Sequence, residues 1–157
     1  MKSDQEALIE KMLIEQYPKY YRIAWGYVRQ EEAALDVVQE GAYKAIRHAA
    51  QLKQPEYADT WICRIMMHEA AAYFRKNGRE RAALDREEQG REDDYEDMDL
   101  RKAMDALSPN ERAVIQLRFF EDMSLQQVAQ VMDDNLSTVK SRLYRALSKL
   151  RISLETP

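Results

Sequence analysis

A single cysteine in 157 residues excludes an internal disulfide and suits a reducing compartment. Cys63 then reads as a small packing residue, because a buried thiol behaves as a hydrophobe. Glycine and proline number only four each, and no regular strand alternation stands out. With Ala, Leu, Glu, Gln, Arg and Met plentiful, the expected fold class is all-α. No run approaches the roughly 18 apolar residues that a membrane-spanning helix requires, so no membrane insertion is expected. The opening MKSDQEALIEK has no apolar core behind its basic residue. It predicts a chain without a secretion signal, acting in the cytoplasm. Histidine is scarce too: His48 and His68 are the only two. Neither sits in a metal-ligand spacing, and Glu69 beside His68 points to a different helix face. No glycine-rich phosphate loop occurs. No catalytic residue, metal or cofactor is therefore expected.

What is present is charge, unevenly spread. The net charge is −4, which looks unsuited to a polyanionic partner. Residues 1–78 carry 11 basic and 11 acidic groups, residues 79–99 carry 4 and 10, and residues 100–157 carry 9 and 7. The acidity thus lies in the middle, and both flanking blocks can present basic surfaces. Weak overall charge still implies weak non-specific DNA affinity, since phosphate neutralisation supplies most of that term. A larger partner holding the chain on DNA would meet the deficit.

The middle stretch, GRERAALDREEQGREDDYEDMD, has few large apolar residues and dense charge, which is linker composition with transient helix near residues 81–88. It divides the chain into two small helical domains, 1–78 and 100–157, joined by an acidic linker at 79–99. The first domain reads as four helices. Leu8, Ile9, Met12 and Leu13 form a stripe ending near Pro18. Tyr20, Ile23, Ala24, Tyr27 and Val28 form a second. Leu35, Val38, Ala42 and Ile46 line a third over about 32–50. After a loop at Lys53, Gln54 and Pro55, a fourth helix runs over about 57–77 and stops at Asn77-Gly78. The second domain opens with a helix at about 99–107. Ser108-Pro109-Asn110-Glu111 then combines an N-cap, a first-turn proline and a capping-box acid, predicting a helix through Phe120.

The last stretch, SLQQVAQVMDDNLSTVKSRLYRALSKLR, reads as a short helix, a tight turn and a longer basic helix, the plan of a helix-turn-helix. Ser124 with Gln127 forms a capping box. Asn135 is the expected N-cap of the second helix, with Ser137 the fallback. At about 100° per residue, Val139, Leu143, Ala146 and Leu150 share one stripe and Thr138, Arg142, Arg145 and Lys149 another. Residues 137–151 hold five basic groups and no acid. The plainer reading of that basic face is a solvated helix of a bundle.

These motifs together resemble the extracytoplasmic-function sigma factors of bacterial RNA polymerase. YPKYYRIAWGYV, DVVQE, TWICRI and YFRK are similar to sigma domain two. ALSPNERAVIQLRFFEDMSLQQVAQVM and STVKSRLYRALSKLR are similar to sigma domain four. The resemblance covers nearly the whole chain and implies a factor that directs core RNA polymerase to promoters and opens the DNA. It implies that Asp36, Val37, Gln39 and Glu40 dock on a coiled coil of the polymerase's largest subunit. Asp36, Gln39 and Glu40 share a helix face and can hydrogen-bond arginines; a solvated acidic face is the plain alternative. It implies that Lys53, Tyr57, Trp61, Arg64, His68, Arg75 and Lys76 serve the −10 element. There aromatics stack on unpaired bases, cations follow phosphates, and the loop at 51–57 holds a flipped base. Trp61 also fits a core position, and Arg75 and Lys76 also fit a helix C-terminus. Asn135, Thr138, Lys140, Ser141, Arg142, Arg145 and Lys149 would meet the −35 duplex. Thr138, Ser141, Arg142 and Arg145 would lie at base edges, and Lys140, Lys149 and Arg151 at phosphates. The chain departs from the family pattern at His68 and Ala72, where Asn and Asp are usual, and at Asp133 and Ser137, where Gly is common. Further implied are an anti-sigma partner, commonly membrane-anchored in this family, and a linker that threads toward the RNA exit path. A stand-alone helix-turn-helix regulator, binding its operator as a dimer, is the alternative.

Overall fold

The structure is a computed structural model that describes the backbone over residues 2–88 and 95–155 and the side chains over 2–77 and 99–151. Every regular element among the described residues is helical. The first half comprises α1 (Asp4–Glu15), α2 (Tyr17–Val28), α3 (Glu31–Arg47) and α4 (Ala58–Glu88). The second comprises α5 (Tyr95–Asp105), α6 (Pro109–Ile115), α7 (Leu125–Met132) and α8 (Leu136–Glu155). The first half has the four helices its stripes predict. Pro18 does not end α1 but sits in the first turn of α2, where its missing N–H costs nothing. Helix α3 closes at Arg47, and the loop after it holds two single 3₁₀ turns, Ala49–Gln51 and Pro55–Tyr57.

Two expectations need correction. Helix α4 does not stop at Asn77-Gly78 but continues to Glu88. One interior glycine costs a helix only about 1 kcal/mol, and the RERAALDREE beyond it is rich in helix formers. The stretch expected as linker is thus helical at both ends; its centre, residues 89–94, lies outside the described residues. The helix beginning at Pro109 also ends its α-geometry at Ile115 and passes into a π turn, Gln116–Phe120, where the Glu121 N–H bonds the Gln116 carbonyl at 3.0 Å.

Helices α2, α3 and α4 pack against one another around Tyr20, Ile23, Ala24, Val37, Val38, Ile62, Cys63 and Met66. Gly41 lets α3 and α4 approach: a Cβ there would stand 2.4 Å from Met66 Sδ. The base of α4 is tied by Asp59, which accepts from the Tyr20 hydroxyl at 2.8 Å and pairs with Lys19. Burial and this bond to Asp59 push the Tyr20 phenol well above its usual range. Burial likewise pushes the Cys63 thiol up to about 12.

The second half packs α8 against α5, α6 and α7 through Val139, Leu143, Ala146 and Leu150, the stripe predicted for it. Both capping boxes form, at Ser108/Glu111 and Ser124/Gln127. Glu111 is 3% exposed and also receives Lys149 Nζ at 2.8 Å. Burial opposes its ionisation, but the bonds from Lys149 and Ser108 outweigh it and hold the carboxyl below its ordinary value.

This packing has two measurable outcomes. Truncating Ile62, which is fully buried, to alanine should cost about 2–5 kcal/mol, read as a lower denaturation midpoint with unchanged slope. Because the folded-state pKa of Glu111 is depressed, its stabilisation is complete above the ordinary value of 4.5 and fades as pH falls below it. Glu111→Gln should flatten that part of the stability–pH curve; an unchanged acid limb would show that Glu111 contributes nothing there.

Candidate nucleic-acid interface

Helix α3 turns Asp36, Gln39 and Glu40 outward on one exposed face, as their spacing requires. Val37 lies inward at 3% exposure and only floors the groove beside them. Across that groove stand Glu69, Tyr73, Lys76 and Asn77 of α4. Lys76 therefore lines this groove; 100° per residue rotates it off the stripe of Arg64, His68 and Arg75.

Arg64, His68 and Arg75 are exposed along one side of α4. Trp61 is half-buried against the core, the packing role its sequence position also allowed. Below the helix, Leu52 (5% exposed) anchors the preceding loop, leaving Lys53 and Tyr57 in solvent. The structure thus brings Tyr57, Arg64, His68 and Arg75 to the surface, keeps part of Trp61 in the core and places Lys76 elsewhere.

In the second half, the turn between α7 and α8 is built on Asp133, whose backbone is left-handed (φ 57°) and whose N–H closes the end of α7. Asn135 Oδ1 accepts from the Thr138 N–H at 2.8 Å and from the Ser137 hydroxyl at 2.9 Å, so Asn135 is the N-cap and Ser137 supports it. Ser137, Thr138, Ser141, Arg142 and Arg145 line one shallow open depression at the start of α8. Asp134 holds the Arg142 guanidinium from behind at 2.5 Å. Lys140 is exposed beside the depression, whereas Lys149 is committed to Glu111.

The contacts that sequence reasoning did not anticipate are those between the halves. Arg112, 4% exposed, donates to the carbonyls of Gly26 (2.7 Å) and Tyr27 (2.8 Å) at the end of α2. Gln116 Nε2 donates to the Arg22 carbonyl at 2.6 Å, and its amide fills the space a Cβ on Gly26 would need. Arg22 forms a two-bond fork with Glu121, and Arg29 pairs with Asp105 at 2.6 Å while covering the Trp25 ring. The Tyr27 hydroxyl donates to Asn110 Oδ1 at 3.1 Å. On the far side, Asp133 reaches Arg64 at 2.9 Å and His68 at 3.9 Å. Nothing in the spacing of Arg112 or Asp133 signals partners some 86 and 69 residues away.

Residues 13–80 match the family Sigma-70 region 2, and residues 103–151 match Sigma-70, region 4. The chain is 36% identical over 157 residues to RNA polymerase sigma factor SigV of Bacillus subtilis, covering 98% of this chain and 95% of that one. It is 29% identical to the ECF RNA polymerase sigma factor SigE of Mycolicibacterium smegmatis, over 85% of this chain and 56% of the other. Its fold is shared with the sigma factor RpoE crystallised with the anti-sigma factor NepR from Bartonella quintana (TM-score 0.74, 23% identity, 94% and 96% of the two chains). It is shared too with CnrH in complex with the cytosolic domain of CnrY (TM-score 0.70, 22% identity, 94% and 87%). The acidic face of α3, the Arg64–His68–Arg75 stripe of α4 and the capped α8 thus lie within the two matched regions, and the chain belongs to the extracytoplasmic-function sigma factors of RNA polymerase.

Proposed function

We propose that this sigma factor divides its work between the three surfaces described. Its family function is to direct core RNA polymerase to promoters. The exposed carboxylates of Asp36 and Glu40, with Gln39 between them on one face, suit arginines on the polymerase. Tyr57, Arg64, His68 and Arg75 form the strand-facing side of residues 1–78, where a separated −10 strand is captured. The loop at 51–57, with Lys53 exposed, borders the same face. Residues 100–157 read the −35 duplex through Thr138, Ser141, Arg142 and Arg145. The observation that carries this reading is the depression at the start of α8, where hydroxyls and guanidiniums converge at a capped helix N-terminus. Asp134 supports that role by fixing the Arg142 guanidinium before DNA arrives. The acidic stretch between the halves is suited by charge to a path otherwise taken by nucleic acid.

An anti-sigma factor is the partner suited to the seam between the halves, where Tyr21, Trp25, Leu100, Met104 and Phe120 line an open, largely apolar groove. The RpoE relative named above is described in complex with such a protein, and CnrH in complex with the cytosolic domain of CnrY.

Run-off transcription with purified core polymerase tests the central reading. The chain should start transcripts at a defined promoter without another sigma factor; dependence on a second one would favour a stand-alone regulator. Arg142→Ala should lose about 1–3 kcal/mol of discrimination between matched and scrambled −35 duplexes. Lys140→Ala should weaken both alike, and equal losses for the two variants would remove the division between reading and positioning. Asp36→Arg should lower affinity for core polymerase about tenfold or more, measured by co-sedimentation, with −35 binding unchanged.

A further inference from the structure

We propose that Asp133 is an intramolecular latch whose carboxylate occupies Arg64 on the strand-facing surface, beside His68, holding the free chain closed until DNA phosphates displace it. The proposal rests on the assignment of Arg64 and His68 to that surface. One Asp133 oxygen lies 2.9 Å from Arg64 Nη2 and the other 3.9 Å from His68 Nε2. The carboxylate offers Arg64 what a backbone phosphate offers: an anionic oxygen that accepts hydrogen bonds. While it is there, a strand drawn along α4 meets an arginine already engaged.

The position of the carboxylate is not an accident of a flexible side chain. Asp133 is the turn residue between α7 and α8, held at φ 57° with its N–H bonded back into α7. Only Gly, Asn and Asp enter this conformation readily. The turn therefore accepts an amide or a hydrogen in place of the carboxylate with its geometry kept, and the acid's distinguishing contribution is its charge.

The closed arrangement is built at a second place as well. The last carbonyls of a helix lack partners within it. Two of those at the end of α2, on Gly26 and Tyr27, are taken by Arg112 from the other half. The halves thus meet at a buried polar seam on α2 and along α4, where α7 packs with the exposed Asp133 contact at its end. The two ends differ in how they open. Arg112 is 4% exposed, while the Arg64 and Asp133 side chains are 46% and 57% exposed, so solvent and a competing polyanion reach the latch first.

The test uses the full chain carrying a fluorescent donor and acceptor on cysteines introduced at Lys11 and Ser148, both exposed, with buried Cys63 left in place. Asp133→Asn should raise the open-to-closed ratio roughly 1.5- to 5-fold, the range expected for losing one solvent-exposed ion pair. Asp122→Asn is the charge-matched control, because Asp122 shares the left-handed backbone (φ 56°) in the turn before α7; it should leave the ratio unchanged. Arg64→Gln should raise the ratio by a similar factor, and the double variant Arg64→Gln with Asp133→Asn by no more than either alone. A short mixed-sequence single-stranded DNA should open the wild-type chain, and should do so at lower concentration once Asp133 is Asn. An unchanged ratio in Asp133→Asn, an equal change in Asp122→Asn, or additive changes in the double variant would overturn the latch. Circular dichroism confirms that each variant keeps its helices. Run-off transcription separates the two readings: a chain that initiates normally but shows no latch keeps its sigma function, and a latch in a chain that never initiates sinks only the function.

Discussion

The Arg112 guanidinium decides how the two halves of this chain stand. It is buried, and burying an arginine costs several kcal/mol unless its donors are satisfied. Its partners are the carbonyls of Gly26 and Tyr27, which themselves need donors because α2 ends there. Each side meets the other's need, and a further Arg112 donor, Nη1, reaches the Leu107 carbonyl of its own half at 3.5 Å. Gly26 completes the fit, since only a residue without a side chain leaves room for Gln116 on the same surface. Around this point Arg22, Arg29 and Tyr27 on α2 pair with Glu121, Asp105 and Asn110. Helix α2 thus serves two masters, with Tyr20 and Ile23 in the core of the first half and its polar end given to the second.

Local features were legible in the sequence because they act over one or two turns. Ser108 with Glu111, Ser124 with Gln127 and Asn135 all cap where their spacing says, since a cap needs only its own helix. The stripe of Val139, Leu143, Ala146 and Leu150 is buried as its period demands. The end of α4 was not legible, because Asn77-Gly78 is a stop signal only when the residues beyond it cannot continue the helix. Of the candidate site residues, those on clean helical stripes kept their faces. Val37 and Lys76 did not, because adjacency in sequence carried them into motifs that helical rotation divides. The contacts between the halves were out of reach altogether: Arg112 within a capping motif reads as an ordinary first-turn residue until α2 is placed beside it.

The charge distribution follows the same division. With a net charge of −4, the chain cannot rely on a broad positive field. Several of its cations are given acidic neighbours: Arg142 has Asp134, Lys149 has Glu111, Lys44 has Glu69. Such pairing fixes side-chain geometry and lowers indiscriminate attraction to nucleic acid, so selectivity comes to depend on a protein that supplies the remaining affinity.

The π turn at Gln116–Phe120 has a consequence for what substitutions and deletions this chain tolerates. A π turn spans one residue more than an α turn, with the bond from Glu121 to Gln116 as its signature. The turn itself takes up that extra residue, so losing one of the five returns the segment to α-geometry with the downstream chain in nearly its former direction. In the plain α-helix of α6 the same loss would rotate everything beyond it by about 100°. The π turn is therefore the place in this stretch where a one-residue change in length disturbs the capped pair α7–α8 least.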